Sequence, residues 1–263
     1  MPRYRLTLEY AGTRYSGWQI QANAKTVQGE LHRALKTVLG TDRFDTYGSG
    51  RTDAGVHALG QVAHLDAATL PPPATLVLRV NDALPADINV LAAGRVSPRF
   101  HARHSVVRRS YLYQIARRRT AFAKPLVWWV RDPLNLDRMR EAAGAFLGLR
   151  DFRAFTDDEP EEKSTKVLLE DVAIVEDGAL LLVRVVGSHF LWKMVRRLVG
   201  VLVEAGAGRL SADEVARLLT ARSDLPARLT APSSGLFLEC VLYDERETLP
   251  PIGSVMRIER PRD

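Results

Sequence analysis

The chain has 263 residues, of which 37 are basic and 31 acidic, for a formal charge of +6; 46% are hydrophobic and 26% charged. That is globular composition, long enough for one large core or two smaller ones, and it excludes disorder. The single cysteine, Cys240, rules out an internal disulfide and a thiolate metal cluster. No apolar run approaches the ~18 residues of a membrane span, and the opening MPRYRLTLEY lacks the apolar core of a signal peptide, so a cytoplasmic protein is expected.

Strands and helices alternate along the chain. Arg3 to Tyr10 sets Tyr4, Leu6, Leu8 and Tyr10 on one face, the pattern of a half-buried strand. Val27, Leu31, Leu35 and Val38 recur at helical spacing between a Thr26 cap and a Gly40 stop. Gly48–His57 follows, GSGRTDAGVH, a tight loop whose backbone can approach a ligand closely. It is not a phosphate-binding P-loop, because GxxxxGK[ST] is absent. Arg51 and Asp53 stand two residues apart on it, and a guanidinium beside a carboxylate favours the ionised form that a nucleophile or base requires. A metal reading would recruit Asp53, His57 and His64, or His101 and His104, but neither set has a recognised ligand spacing, so no metal is expected.

After the Pro71–Pro73 turn, the stretch between Asp87 and Asp132 contains no acid and ten cations, among them Arg95, Arg99, Arg103, Arg108, Arg109, Arg117, Arg118 and Arg119. A solvated face mixes signs, so the block calls for an external polyanion. His101, His104, Tyr111 and Tyr113 lie among the cations, the mixture expected where bases stack and phosphates are neutralised. Arg also outnumbers Lys by 31 to 6, which coding bias alone can produce.

Ser110–Ala116 reads as a strand, and Leu136, Met139, Ala143 and Phe146 as a helix face after Asn135. Val172–Val175 and Leu180–Val186 form a hairpin turning at Asp177-Gly178. Phe190 to Ala205 reads as one long buried helix that carries Lys193, Arg196 and Arg197, cations that need carboxylate partners if buried. A capping box, Ser211 with Glu214, opens a short helix, and Leu236–Tyr243 closes the chain as a strand. Residues 157–162, DDEPEE, form an acidic loop, and the tail after Pro250 an extended arm. Two α+β halves meeting near residue 105 are expected.

These segments resemble the tRNA pseudouridine synthase A family over nearly the whole chain. Tyr10–Gln19 is similar to its opening YDGTxYxGWQ, and Gly48–Ala58 to its signature loop, with Asp53 at the place of the catalytic aspartate. Leu84–Ile88 resembles LPxDI; Phe100–Arg103 and Arg109–Tyr113 resemble FHAR…RxYxY. Met194-Val195-Arg196 with Gly200, and Ala231–Leu236, resemble FxxxMVRxxxG and APxxGL. Ala11 departs from the family's Asp, Arg150-Asp151-Phe152 from HDF, and Lys163–Lys166 from KSxxR.

The resemblance implies two ferredoxin-like (RRM-like) α/β halves sharing a largely antiparallel sheet, with the active-site cleft between them. Residues 1–105 would carry the catalytic loop, 106–248 would complete the cleft, and 249–263 would form the tail. It implies isomerisation of uridine to pseudouridine at positions 38, 39 and 40 of the tRNA anticodon stem-loop, by a homodimer, with neither cofactor nor metal. Asp53 would be the nucleophile, attacking C1′ or C6 or starting a glycal route. Arg51 would help hold the flipped nucleotide, Tyr111 would stack on the uracil, Arg196 would keep Asp53 ionised, and Leu236 or Leu238 would offer an apolar wall. Arg103, Arg108 and Arg109 would grip the RNA backbone. The rival reading is a non-catalytic tRNA-binding or RNA-folding module; a metal-dependent nuclease is a third.

Overall fold

Tyr4, Leu6, Leu8 and Tyr10 are the four buried side chains of strand β1 (Arg3–Tyr10), which therefore has one face in the core and one towards solvent. A computed structural model describes residues 1–158 and 164–260 of the chain. Two units emerge: Met1–Val107 with Phe237–Glu247, and Arg108–Leu236 with Thr248–Asp263.

In the first unit, helix α1 (Val27–Leu39) starts where the Thr26 hydroxyl accepts from the Gly29 N–H and stops at Gly40 in the left-handed conformation. Strands β2 (Phe44–Gly48) and β3 (His57–Ala67), helix α2 (Pro73–Ala83) and strand β4 (Ile88–Val96) follow. Every pairing of β1 to β4 is antiparallel and the order is β4-β1-β3-β2, which is the ferredoxin-like βαββαβ plan. Leu6, Leu8, Leu31, Leu35, Leu65 and Leu76 are buried at its core, each worth about 1.5–3 kcal/mol of transfer free energy.

The second unit opens on β5 (Arg108–Ala116), paired briefly with β6 (Trp128–Trp129). Helix α3 (Leu136–Gly144) is capped by the Asn135 side chain. Strands β7 (Gly148–Asp151), β8 (Lys166–Asp177) and β9 (Leu180–Gly187) complete an antiparallel order β5-β9-β8-β7, the hairpin turning at Gly178. Helix α4 spans Met194–Gly206, not Phe190–Ala205. Lys193 adopts φ 60°, and a left-handed residue cannot continue a right-handed helix backwards, so Phe190–Trp192 lie outside it. Helices α5 (Ala212–Arg217), which carries the Ser211/Glu214 capping box, and α6 (Leu225–Arg228) follow.

The last strand, β10 (Leu236–Leu242), returns to the first unit, whereas the expected boundaries give residues 106–248 to the second half. It runs parallel to β3 at Phe237↔His57 and Leu238↔Ala58, and the Val107 N–H donates to the Leu242 carbonyl. Phe237 stacks on His57 at 4.7 Å, and the Tyr243 hydroxyl donates to the Ala102 carbonyl at 2.7 Å. Residues 251–260 lie along the second unit: the Ala179 N–H donates to the Ile258 carbonyl, and Ile258 is buried. Lys163 and residues 159–162 of the acidic run lie outside the described residues. No helix among the described residues is long and apolar enough to cross a membrane.

Candidate active site

The loop joining β2 to β3 carries Arg51, exposed, and Asp53, half-buried. Its backbone is held from several sides. The Ser49 N–H donates to the Val62 carbonyl at 2.7 Å, Trp18 N–H to the Thr52 carbonyl at 3.0 Å, and Gly55 N–H to the Tyr15 carbonyl at 3.2 Å. Within the loop, the Val56 N–H closes a turn onto the Asp53 carbonyl at 3.1 Å. The 10–19 segment is thus the seat of the 48–57 loop, which gives both motifs one physical purpose. A Cβ on Gly12 would fall 1.8 Å from the Val56 carbonyl oxygen, so only glycine fits there, and its N–H donates to His57 Nδ1 at 3.1 Å. Tyr15 is tied down in turn by its hydroxyl, which donates to Asp87 at 2.6 Å.

Beneath the loop, the fully buried Gln61 accepts from the Ser49 hydroxyl at 2.7 Å and donates to the Gly50 carbonyl at 3.1 Å. The Tyr10 and Thr52 hydroxyls lie 2.8 Å apart. Hydropathy patterning did not single out Gln61, because a buried amide satisfied by hydrogen bonds breaks the apolar period of a strand without announcing why.

In the second unit, Arg196 sits in the first turn of α4, its Nε donating to the Ala231 carbonyl at 2.6 Å. The 229–235 segment packs tightly here: a Cβ on Gly200 would lie 1.7 Å from the Leu229 carbonyl oxygen. The buried Tyr113 hydroxyl donates to the Pro232 carbonyl at 2.8 Å. Burial pushes the Tyr113 phenol well above its ordinary range, and the Arg196 charge opposes this more weakly. Tyr111 is 8% exposed, edge-on to Phe190 at 4.9 Å, and Leu236 is buried at the start of β10.

Arg197 is buried and paired with Asp157, which also receives Lys193 Nζ at 2.8 Å. Burial pushes the Asp157 carboxyl up, but the hydrogen bonds from Lys193 and Arg197 outweigh it and hold the carboxylate below its ordinary value. The two neighbouring arginines of α4 therefore differ in employment.

The cation block is less open than its sequence suggests. Arg108 pairs with Glu170 at 3.4 Å and Arg117 with Glu176 at 2.7 Å, both acids supplied by β8. Arg109 donates to the Ser188 carbonyl, and Arg119 lies over the Trp129 ring. Arg95, Arg99 and Arg103 are exposed on the first unit. His57, His64 and His101 each accept a backbone N–H at Nδ1, and no group of three or more metal-type ligands exists among the described residues. Asp151 and Thr165, in two of the segments that depart from the family pattern, hydrogen-bond each other at 2.6 Å.

Fold and site together define a class: an α+β protein that presents one carboxylate on a braced, glycine-rich loop. The chain belongs to the tRNA pseudouridine synthase family, whose model matches residues 7–105 and 142–244. It is 42% identical over 247 residues to a tRNA pseudouridine synthase A of Rhodopseudomonas palustris, covering 93% of this chain and all of that protein. Similar proteins of the same name occur in Halalkalibacterium halodurans, at 42% identity over 90% of each chain, and in Aquifex aeolicus, at 41% over 92% of this chain and the whole of that one. Among solved structures, a chain of a Cbf5–Nop10–Gar1 complex overlaps with a TM-score of 0.34 and 10% identity over 76% of this chain and 53% of that one.

Proposed function

We propose that the protein isomerises uridine to pseudouridine in tRNA, at positions 38, 39 and 40 of the anticodon stem-loop, with Asp53 as the nucleophile. The N1–C1′ bond breaks, the uracil turns, C5 bonds to C1′, and the C5 proton leaves while N1 gains one. The observation that carries this reading is the placement of Asp53 on a loop braced from 10–19 and from β3, within a chain that belongs to this family. A non-catalytic RNA-binding module has no use for a carboxylate on a loop whose backbone is braced in this way, and the family membership favours the enzyme.

In this reading Arg51 holds the nucleotide out of its stack by charge-assisted hydrogen bonds, and Tyr111 meets the flipped base. Arg196 is the cation assigned to keep Asp53 ionised, and Leu236 the apolar wall of the base site. Arg103, Arg108 and Arg109 contact the RNA backbone; for Arg108 this requires sharing its charge with Glu170. The enzyme acts in the cytoplasm as a homodimer on the anticodon arm, without cofactor. The test is release of tritium from C5-labelled uridine in tRNA, run with EDTA present, with mapping of the product. Release at positions 38–40 supports the reading; binding without release, or strand scission that EDTA abolishes, overturns it.

A further inference from the structure

Asp53 is flanked by residues whose anchors converge on one buried side chain. Gln61 Oε1 accepts from the Ser49 hydroxyl at 2.7 Å and from the Val62 N–H at 3.2 Å. Gln61 Nε2 donates to the Gly50 carbonyl at 3.1 Å and to the Tyr10 hydroxyl oxygen at 3.3 Å. A backbone N–H on one end and a backbone carbonyl on the other fix which end of the amide is which. The Tyr10 hydroxyl, which accepts from Gln61, is also hydrogen-bonded to Thr52 Oγ1 at 2.8 Å, where either hydroxyl can donate. One amide thus grips the chain at 49 and 50 and, through Tyr10, reaches 52, so the anchored positions stand on the N-terminal side of the half-buried Asp53.

We infer that Gln61 is a positioning residue for the reaction: it touches no substrate, and it holds Asp53 at the angle and distance that attack requires. This rests on Asp53 being the nucleophile, as proposed above. The network asks for a group that donates at one end and accepts at the other. Glu in its place, when ionised, offers no donor to Gly50 or Tyr10, and Met offers the same length with neither function. A loop freed at 49 and 50, with Tyr10 less constrained at 52, still folds over β3, because the Ser49 N–H and Trp18 N–H bonds remain. What is lost is placement, and displacement of a reacting group by about 1 Å costs on the order of a hundredfold in rate.

The experiment measures three quantities on the full-length protein: single-turnover pseudouridine formation with enzyme in excess, tRNA affinity at fixed salt, and thermal unfolding. Gln61→Met should slow the single turnover by roughly ten- to a hundredfold with tRNA affinity little changed. Tyr10→Phe should give a smaller loss, and the double variant less than the product of the two, because both act on one network. Asn81→Leu is the comparison: that amide braces β4 through the Val90 N–H and carbonyl in the same unit, so it should lower the unfolding temperature and spare the rate. Gln61→Met at the wild-type rate, or a rate loss that Asn81→Leu reproduces at equal loss of stability, overturns the inference. Asp53→Asn run alongside separates the two claims. If it is active, the functional reading fails and this inference with it. If it is inactive while Gln61→Met is fully active, only the inference fails. Should Gln61→Met not fold, Tyr10→Phe decides: an unchanged rate refutes the network's role, and a slowed turnover at unchanged affinity supports it.

Discussion

Arg196 and Ala231 hydrogen-bond in both directions: the guanidinium Nε donates to the Ala231 carbonyl at 2.6 Å, and the Ala231 N–H donates to the Arg196 carbonyl at 3.1 Å. A planar fork held at one edge by backbone has its remaining donors aimed, which a lysine cannot reproduce. The segment that follows α6 is thereby fixed to the first turn of α4, although 35 residues separate them.

Arg196 and Arg197 should consequently fail in different ways when replaced. Arg196→Ala and Arg196→Lys should lose most turnover with a modest change in stability. Arg197→Ala removes a buried cation from Asp157 and should cost about 2 kcal/mol of stability, the range for a partly exposed ion pair with hydrogen bonds. Urea unfolding beside single-turnover rates checks both. Equal effects on both readouts would show that the two arginines do one structural job.

Asp53→Asn keeps shape and volume while removing charge and basicity. Turnover should fall by about a thousandfold or more, with tRNA affinity little changed, since losing a negative charge does not weaken binding to a polyanion. Asp45, exposed on β2, is the clean control, and Asp45→Asn should stay active. Asp66 and Asp87 are poorer controls, because Arg3 donates to Asp66 at 2.6 Å and Tyr15 to Asp87 at 2.6 Å, so their Asn variants should lose stability. Single-turnover pseudouridine formation decides. A substantial residual rate for Asp53→Asn would overturn the site assignment.

Legibility followed the range of the interactions. Strand β1 and helix α1 were readable because alternation and caps are local, and the Asp53 loop because glycine and charge crowd into ten residues. Strand β3 was missed: His57, Gln61 and His64 are polar yet buried, each satisfied by a partner far away in sequence, so its inward pattern does not look apolar. The start of α4 was misplaced because Phe190 and Leu191 continue the apolar period, while the break comes from the backbone of Lys193. Glu170 and Glu176 partly neutralise a cation block some sixty residues earlier in the chain, a pairing that only the β8–β9–β5 register creates. The grouping of β10 with the first unit is equally non-local.

His64 makes the fold acid-sensitive. Burial, with the Arg3 charge next, pushes its pKa down to about 4, while an unfolded histidine titrates near 6.5. A depressed folded pKa means that the unfolded chain binds the proton more readily. The contribution is therefore complete above about pH 6.5 and is lost as the pH falls towards 4. Between pH 7.5 and 5 the wild type should lose about 2 kcal/mol more than His64→Gln, which keeps an acceptor for the Ala102 N–H but cannot titrate. His101, whose pKa burial also lowers, lies edge-on to His64 with ring centroids 4.7 Å apart, so its titration is followed in both proteins beside the unfolding curves. Parallel pH–stability curves for the two would refute the assignment.

Exposure differs along the cation block, and it predicts which arginines RNA feels. Arg103 is exposed on the first unit; Arg117 is half-buried, held by Glu176 at 2.7 Å and by the Gly178 carbonyl, with Arg260 on the same glutamate. A phosphate contact releases counterions, so each one lost flattens the fall of log affinity with log salt by about one unit. Arg103→Gln should therefore weaken tRNA binding and reduce that slope by about one. Arg117→Gln should leave the slope unchanged, because Arg117 spends its charge on the protein, and should show its effect in unfolding, where the hairpin end loses a tie. Titrations of tRNA binding across a salt series, with wild type and both variants, measure this directly. If the two substitutions change the slope equally, the intramolecular partners of Arg117 do not withdraw it from RNA. If the wild-type slope itself is flat, the RNA does not lie on this block at all.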